Sequence, residues 1–115
     1  MKLIIAGSRD FNNYNLLEKT VLEHYDLSDI DEIVSGTARG ADTLGEQFAA
    51  KYNIPVTKFP AMWNVYGKSA GYRRNVEMGL YGDALIAFWD GFSKGTRLMI
   101  DIAKEKNLEV IIKMI

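Results

Sequence analysis

Five arginines occur in this chain, Arg9, Arg39, Arg73, Arg74 and Arg97, and each follows a predicted β-strand. Arg9 lies in Gly7-Ser8-Arg9-Asp10, and Arg39 in Ser35-Gly36-Thr37-Ala38-Arg39-Gly40-Ala41-Asp42. Arg73 and Arg74 follow Gly67-Lys68-Ser69-Ala70-Gly71, and Arg97 follows Asp90-Gly91-Phe92-Ser93-Lys94-Gly95-Thr96. A guanidinium is a planar fork of donors that matches a phosphate or carboxylate bidentately. In an open parallel sheet the post-strand segments share one edge, where such folds bind their ligands. The pattern describes a holder for an anionic ligand, above all a phosphate-bearing one.

Seven of the ten glycines (Gly7, Gly36, Gly40, Gly67, Gly71, Gly91, Gly95) fall in the same segments. Ser35–Asp42 runs from a strand end directly into a helix, so free N–H groups and the helix dipole converge on one spot. Gly91–Thr96 repeats that arrangement, with Thr96 placed as helix N-cap or phosphate donor. Neither segment is a GxGxxG fingerprint or a Walker loop. Asp10, Asp42 and Asp90 sit among the basic residues. They are suited to accept hydrogen bonds from ribose hydroxyls or an adenine amine, or else to cap a helix or pair with an arginine. Trp63, Tyr66, Trp89 and Phe92 are loop aromatics able to stack on a base, or to plug the core or a subunit contact. Arg73 and Arg74 adjoin on a helix and point about 100° apart. Only one of the two is expected to face the cleft.

Net charge is −1, which argues against a protein held mainly by a nucleic-acid backbone. The distribution says more: segments 7–13, 35–42, 60–75 and 89–97 carry +4, leaving −5 on the remainder. A basic rim on an acidic body gathers small anions and repels long polyanions elsewhere. Single-stranded nucleic-acid binding therefore ranks below a small ligand. With no cysteine and one histidine, His24, disulfides, thiolate zinc sites and His-rich metal sites are excluded. No metal and no cofactor is expected. No apolar run reaches membrane-span length. The opening Met1–Gly7 reads as a first strand rather than a signal peptide, and a cytoplasmic location is expected.

The elements that must carry these segments follow from periodicity. Leu3–Ala6, Ile33-Val34, Pro55–Phe59, Ala84–Phe88 and Val110–Ile112 read as buried strands, with Met114-Ile115 able to extend the last. Tyr14–Tyr25 is a predicted helix with Leu17, Val21 and Tyr25 in step and Asn12 or Asn13 as cap. Ala41–Tyr52 (Leu44, Phe48, Tyr52), Ser69–Tyr81 and Thr96–Lys106 (Leu98, Ile102, Ala103) are further helices. Asp26–Glu32 is an acidic connector, and Pro60–Gly67 a loop. Five strands alternating with four helices make one α/β, Rossmann-like, doubly wound domain over residues 1–115 with a parallel sheet. Strand order 3-2-1-4-5 is favoured, with 2-1-3-4-5 the alternative.

Taken together, Gly7–Phe11, Ser35–Asp42, Trp63, Lys68–Asn75 and Asp90–Thr96 resemble the YspA-like branch of the SLOG superfamily. The resemblance runs in order along nearly the whole chain. It implies a Rossmann-like domain for nucleotides or nucleotide-derived ligands, of ADP-ribose or nucleoside-monophosphate type, and a homodimer. Its wider relatives include the phosphoribohydrolases called LOG, DNA-processing proteins and sensor domains of antiphage systems. LOG enzymes carry an Arg-Lys pair on the third helix and a glutamate three residues after the threonine of a Gly-rich loop. The matching positions here are Arg74, Asn75 and Met99, so the carboxylate expected to assist glycosidic cleavage is missing. Asp90 and Asp42 are the candidates to replace it. The ligand-binding set implied is Gly7, Ser8, Arg9, Asp10, Ser35, Gly36, Thr37, Arg39, Gly40 and Asp42, then Trp63, Lys68, Arg74 and Asn75. Asp90, Gly91, Ser93, Lys94, Gly95 and Thr96 complete it. The expected role is a sensor or sequestering module that releases its ligand unchanged. The alternative is a phosphoribohydrolase or N-glycosidase acting on a nucleoside monophosphate.

Overall fold

A computed structural model describes residues 1–115. Strands β1 (Lys2–Gly7), β2 (Glu32–Ser35), β3 (Val56–Lys58), β4 (Ala84–Trp89) and β5 (Glu109–Met114) form one sheet. Its order is β3-β2-β1-β4-β5, the favoured one, and all four pairings are parallel. Helices α1 (Tyr14–His24), α2 (Ala41–Lys51), α4 (Ala70–Tyr81) and α5 (Lys94–Glu105) are those expected from periodicity. Asn13 caps α1, its side-chain oxygen accepting the Leu16 N–H at 3.0 Å.

Alternation along the strands divides the core in two. Leu3, Ile5, Ile33, Ala84, Ile86 and Phe88 face α1 and α2, meeting Leu17, Val21, Phe48 and Ala49. Ile4, Ala6, Val34, Leu85 and Ala87 face α4 and α5, meeting Met78, Met99, Ile102 and Ala103. The central strands β1 and β4 are apolar on both faces, as a sheet covered on both sides requires.

Two expectations need correction. The aromatic loop 60–67 contains a one-turn helix, α3 (Trp63–Tyr66), followed by a 3-10 turn over Gly67–Ser69. The N–H groups of Val65 and Tyr66 both donate to the Met62 carbonyl, and Gly67 at φ +56° ends the turn. One turn is too short for a hydrophobic period to register. Helix α5 starts at Lys94 with Ser93 in the capping position, so Thr96 is the third helical residue and not the N-cap. The Thr96 side chain is buried instead.

Gly7 fixes how closely β1 approaches its neighbours. A Cβ there would collide with the Phe88 carbonyl oxygen and stand 2.9 Å from the Ala41 Cβ. That carbonyl accepts the Ser8 N–H at 3.0 Å, so it cannot move without breaking the strand end. Gly95, by contrast, has nothing within 4 Å of the same point. Gly7→Ala should therefore lower the unfolding free energy by about 2–3 kcal/mol, an overpacking cost. Gly95→Ala should stay within about 0.5 kcal/mol of the parent. Urea denaturation of both variants checks this, and a Gly7→Ala protein of parental stability would contradict the packing described.

Candidate functional site

Chain order reverses between β1 and β4, and the crevice outside their carboxyl ends is where such folds hold ligands. A cleft of about 490 Å³ opens there. Its walls come from Gly7–Asp10 after β1, Ala38, Arg39 and Asp42 around the start of α2, Arg74 and Asn75 of α4, and Asp90, Phe92, Ser93, Gly95 and Thr96 after β4. Ala6, Met78 and Met99 make the floor. A second cleft, of about 430 Å³, is lined by Gly36, Thr37, Pro60, Ala61 and Trp63. Arg9, Ala38, Arg39 and Arg74 line both.

The segment between β2 and α2 is held from inside. The Ser35 hydroxyl donates to Glu46 Oε2 at 2.6 Å and accepts the Thr37 N–H at 3.1 Å. Asp42 Oδ2 accepts the Ala38 N–H at 3.0 Å, and the Thr43 hydroxyl donates to the Ala38 carbonyl at 3.0 Å. Gly40, at φ +78°, presses on the Ser8-Arg9 backbone where any Cβ would clash. The Ala41 N–H donates to the Ser8 carbonyl at 3.3 Å, tying this segment to the one after β1.

Arg74 closes the arrangement from α4. Its Nη1 donates to the Gly36 carbonyl at 2.5 Å and its Nε to Asn75 Oδ1 at 2.8 Å. Burial lowers the Arg74 pKa, and the Asp42 charge counteracts this. Asp42 is itself buried, and desolvation pushes its carboxyl up to about 6, against the opposing pull of the Ala38 N–H and Arg74.

After β4, Asp90 Oδ1 accepts the N–H groups of Phe92 at 2.8 Å and Ser93 at 2.7 Å. Those bonds, the Ser93 one first, hold its carboxyl below the usual range. The Trp89 indole N–H donates to the Ser93 carbonyl at 3.0 Å. The Ser93 and Thr96 hydroxyls are 3.2 Å apart. The N–H groups of Lys94, Gly95 and Thr96 make no intramolecular bond and crown the start of α5.

Of the residues expected in the site, the first cleft gathers Gly7, Ser8, Arg9, Asp10, Arg39, Asp42, Arg74, Asn75, Asp90, Ser93, Gly95 and Thr96. Gly36, Thr37 and Trp63 stand in the second. Ser35 and Gly40 line neither and shape the loop from behind, while Lys68, Gly91 and Lys94 also lie outside both linings. Arg73 turns away from the clefts, its Nε donating to Ser69 Oγ at 3.1 Å and its guanidinium over the Tyr66 ring. Arg97 is exposed and outside both clefts. Arg9 makes no ion pair, and Arg39 comes only within 3.8 Å of an exposed Asp10. Met78 and Met99 were not in the expected set, and Phe92, expected only as a loop aromatic able to stack on a base or plug a contact, also lines the first cleft. The two methionines are buried core side chains that also form the cleft floor.

The model of the YspA, cpYpsA-related SLOG family matches residues 1–66, which carry Arg9, Arg39 and the first three strands. The Gene 61 protein of Mycobacterium phage D29 is 31% identical over 117 residues, covering 96% of this chain and 94% of the phage protein. That match, unlike the family model, spans both halves of the chain. No solved structure gives a significant match. The chain belongs to the YspA, cpYpsA-related SLOG family.

Proposed function

We propose that the first cleft binds a nucleotide-derived small molecule through its phosphates and releases it unchanged, as a sensor or sequestering module. One observation carries the reading: the guanidinium groups of Arg9 and Arg39, without carboxylate partners at bonding distance, line the same cleft as the unpaired N–H groups of Gly95 and Thr96. Unbonded cations and a bare helix N-terminus together suit a phosphate. Asp42 and the Asn75 amide stand beside that position, suited to sugar hydroxyls or base edges. The ligand set is then Arg9, Arg39, Arg74, Gly95 and Thr96 for phosphate, with Asp42 and Asn75 for the nucleoside.

Family membership supports a nucleotide-related ligand without fixing which one. A homodimer belongs to the same reading, because α3 and α4 leave the large apolar side chains Val65, Tyr72 and Leu80 exposed. No helix is long and apolar enough to cross a membrane. A cytoplasmic protein is the proposal that goes with a nucleotide ligand.

Glycosidic hydrolysis is the second reading, and one feature favours it: a carboxyl of pKa about 6 facing the cleft at Asp42. Asp90 is the poorer candidate, being held ionised by two backbone N–H groups. Incubation with AMP, ADP-ribose, NAD and short cyclic oligonucleotides, followed by native mass spectrometry, separates the two. An intact adduct supports the binding module; free base appearing with time, and lost in Asp42→Asn, establishes the hydrolase.

Arg39→Ala should weaken ADP-ribose binding by about 1.5–3 kcal/mol, the worth of a charged hydrogen bond. Gly95→Ala should weaken it too while leaving stability unchanged, since the methyl enters the phosphate position. Calorimetric titration of both variants measures this, and parental affinity in both would remove the phosphate assignment.

The Asp42 carboxyl also sets a pH dependence. Its folded pKa of about 6 lies above the ordinary 3.8, so ionisation opposes folding. Its contribution is intact below pH 3.8 and is lost as pH rises to about 6. Relative to the parent, Asp42→Asn should gain up to about 3 kcal/mol of stability across that window. ADP-ribose, whose phosphates stay ionised there, should bind more tightly as pH rises through 6 if ionised Asp42 accepts its hydroxyls. Affinity falling over the same range would put a phosphate, not a sugar, against Asp42.

A further inference from the structure

We propose that the second cleft is a subsite for the far end of a two-part ligand, in which phosphates crossing the arginine ridge join a nucleoside to a second aromatic ring. This rests on the reading of the first cleft given above and narrows its ligand class.

The two clefts differ in charge. The first is lined by three arginines and three aspartates, Asp10, Asp42 and Asp90. The second has the same three arginines and no acid at all. An anionic group is therefore drawn across the shared ridge and not held wholly inside the first cleft. A nucleoside monophosphate would leave the second cleft, itself in the size range of a small-ligand site, unused.

The second cleft also contains a platform. Trp63 is half-exposed, and its ring edge (Cη2) lies 3.6 Å from the point where a Cβ on Gly71 would stand. Arg74 Nη2 lies 4.0 Å from that same point. Nη2 has no acceptor within the protein, because Arg74 uses Nη1 and Nε for Gly36 and Asn75. An indole edge and a guanidinium nitrogen with no protein acceptor, both from residues that line the second cleft, thus come together beside Gly71, which itself lines neither cleft. Pro60 and Ala61 line the same cleft and offer no competing donor or acceptor side chain. Such a corner takes a flat ring by stacking and its linking phosphate by charge. The ligand class is a dinucleotide or a dinucleoside polyphosphate.

The test compares AMP with diadenosine diphosphate by calorimetric titration on the parent, Trp63→Ala and Gly71→Leu, with thermal unfolding to establish that each variant is folded. Gly71→Leu places its Cβ at ordinary contact distance from the Trp63 ring edge and Arg74 Nη2, adds bulk between them, and favours the helix. Diadenosine diphosphate should bind the parent at least about tenfold more tightly than AMP, and both variants should lose about tenfold for it, as for a base stack removed. AMP affinity should change less than twofold. If AMP binds and neither variant affects the dinucleotide, the second cleft is no subsite and the first-cleft reading stands alone. Equal losses for both probes would place Trp63 in a single mononucleotide site and overturn the two-part ligand. Failure of both probes to bind the parent would overturn both readings.

Discussion

Arg74 reaches from the first turns of α4 to the carbonyl of Gly36, and the carboxyl edge of the sheet is organised around that contact. The guanidinium loses solvent on the way, a cost that burial of any cation incurs. Three compensations stand in place: the Gly36 carbonyl, Asn75 Oδ1 and the charge of Asp42. Gly36 must be glycine for this to fit, since a Cβ there would stand 2.9 Å from Asp42 Oδ2 and 3.0 Å from Arg74 Nη1. One cation thereby joins α4, the end of β2 and the start of α2. It also forms part of the ridge dividing the two clefts, with Arg9, Ala38 and Arg39.

The acids near this edge are largely turned inward. Asp90 folds onto the N–H groups of its own loop, and Asp42 onto that of Ala38. Glu46, one turn further along α2, takes the Ser35 hydroxyl. Each bond orders a loop that would otherwise sample many conformations, and each consumes a carboxylate oxygen that could have neutralised an arginine. The outcome is a rim whose cations Arg9 and Arg39 have no close acidic partner, although the protein's net charge is −1. Loop order and an un-neutralised basic rim thus come from the same bonds.

Glycine-ended apolar runs and helical periods were enough to read the five strands and the four long helices, because tertiary packing there agrees with local pattern. The choice between orders 3-2-1-4-5 and 2-1-3-4-5 is made by the strand pairings. Helical geometry said only that one of Arg73 and Arg74 faces the cleft; the resemblance to the SLOG superfamily selected Arg74 with Asn75. The start of α5 was misplaced by two residues because Ser93 and Thr96 are equally good capping types. Only the Asp90 turn decides between them, by taking up the Phe92 and Ser93 N–H groups. For the same reason, the N–H groups of the expected phosphate cradles were only half available: Ala38, Phe92 and Ser93 are satisfied internally, Gly95 and Thr96 are not. Sequence marks a loop as rich in donors; the path of the loop decides which donors remain. Lys68 shows the limit of composition, since a lysine beside the site in sequence can stand outside both clefts.

Met99 stands where a phosphoribohydrolase of similar layout would be expected to place its acid, and the consequence is physical. It is buried, lies one turn below Thr96 and shares the floor with Met78 and Ala6. A floor of thioethers and a methyl offers shape and dispersion to whatever rests on it, and no proton. The cleft's one carboxyl poised near neutral pH, Asp42, sits on the opposite wall, tied to Ala38 and flanked by Arg74. An anion arriving beside Asp42 raises its pKa further, whereas a hydroxyl donor lowers it. On the proposed reading of the cleft, protonation of Asp42 and occupancy of the arginine ridge are coupled, with a sign set by which part of the ligand lies against that carboxyl.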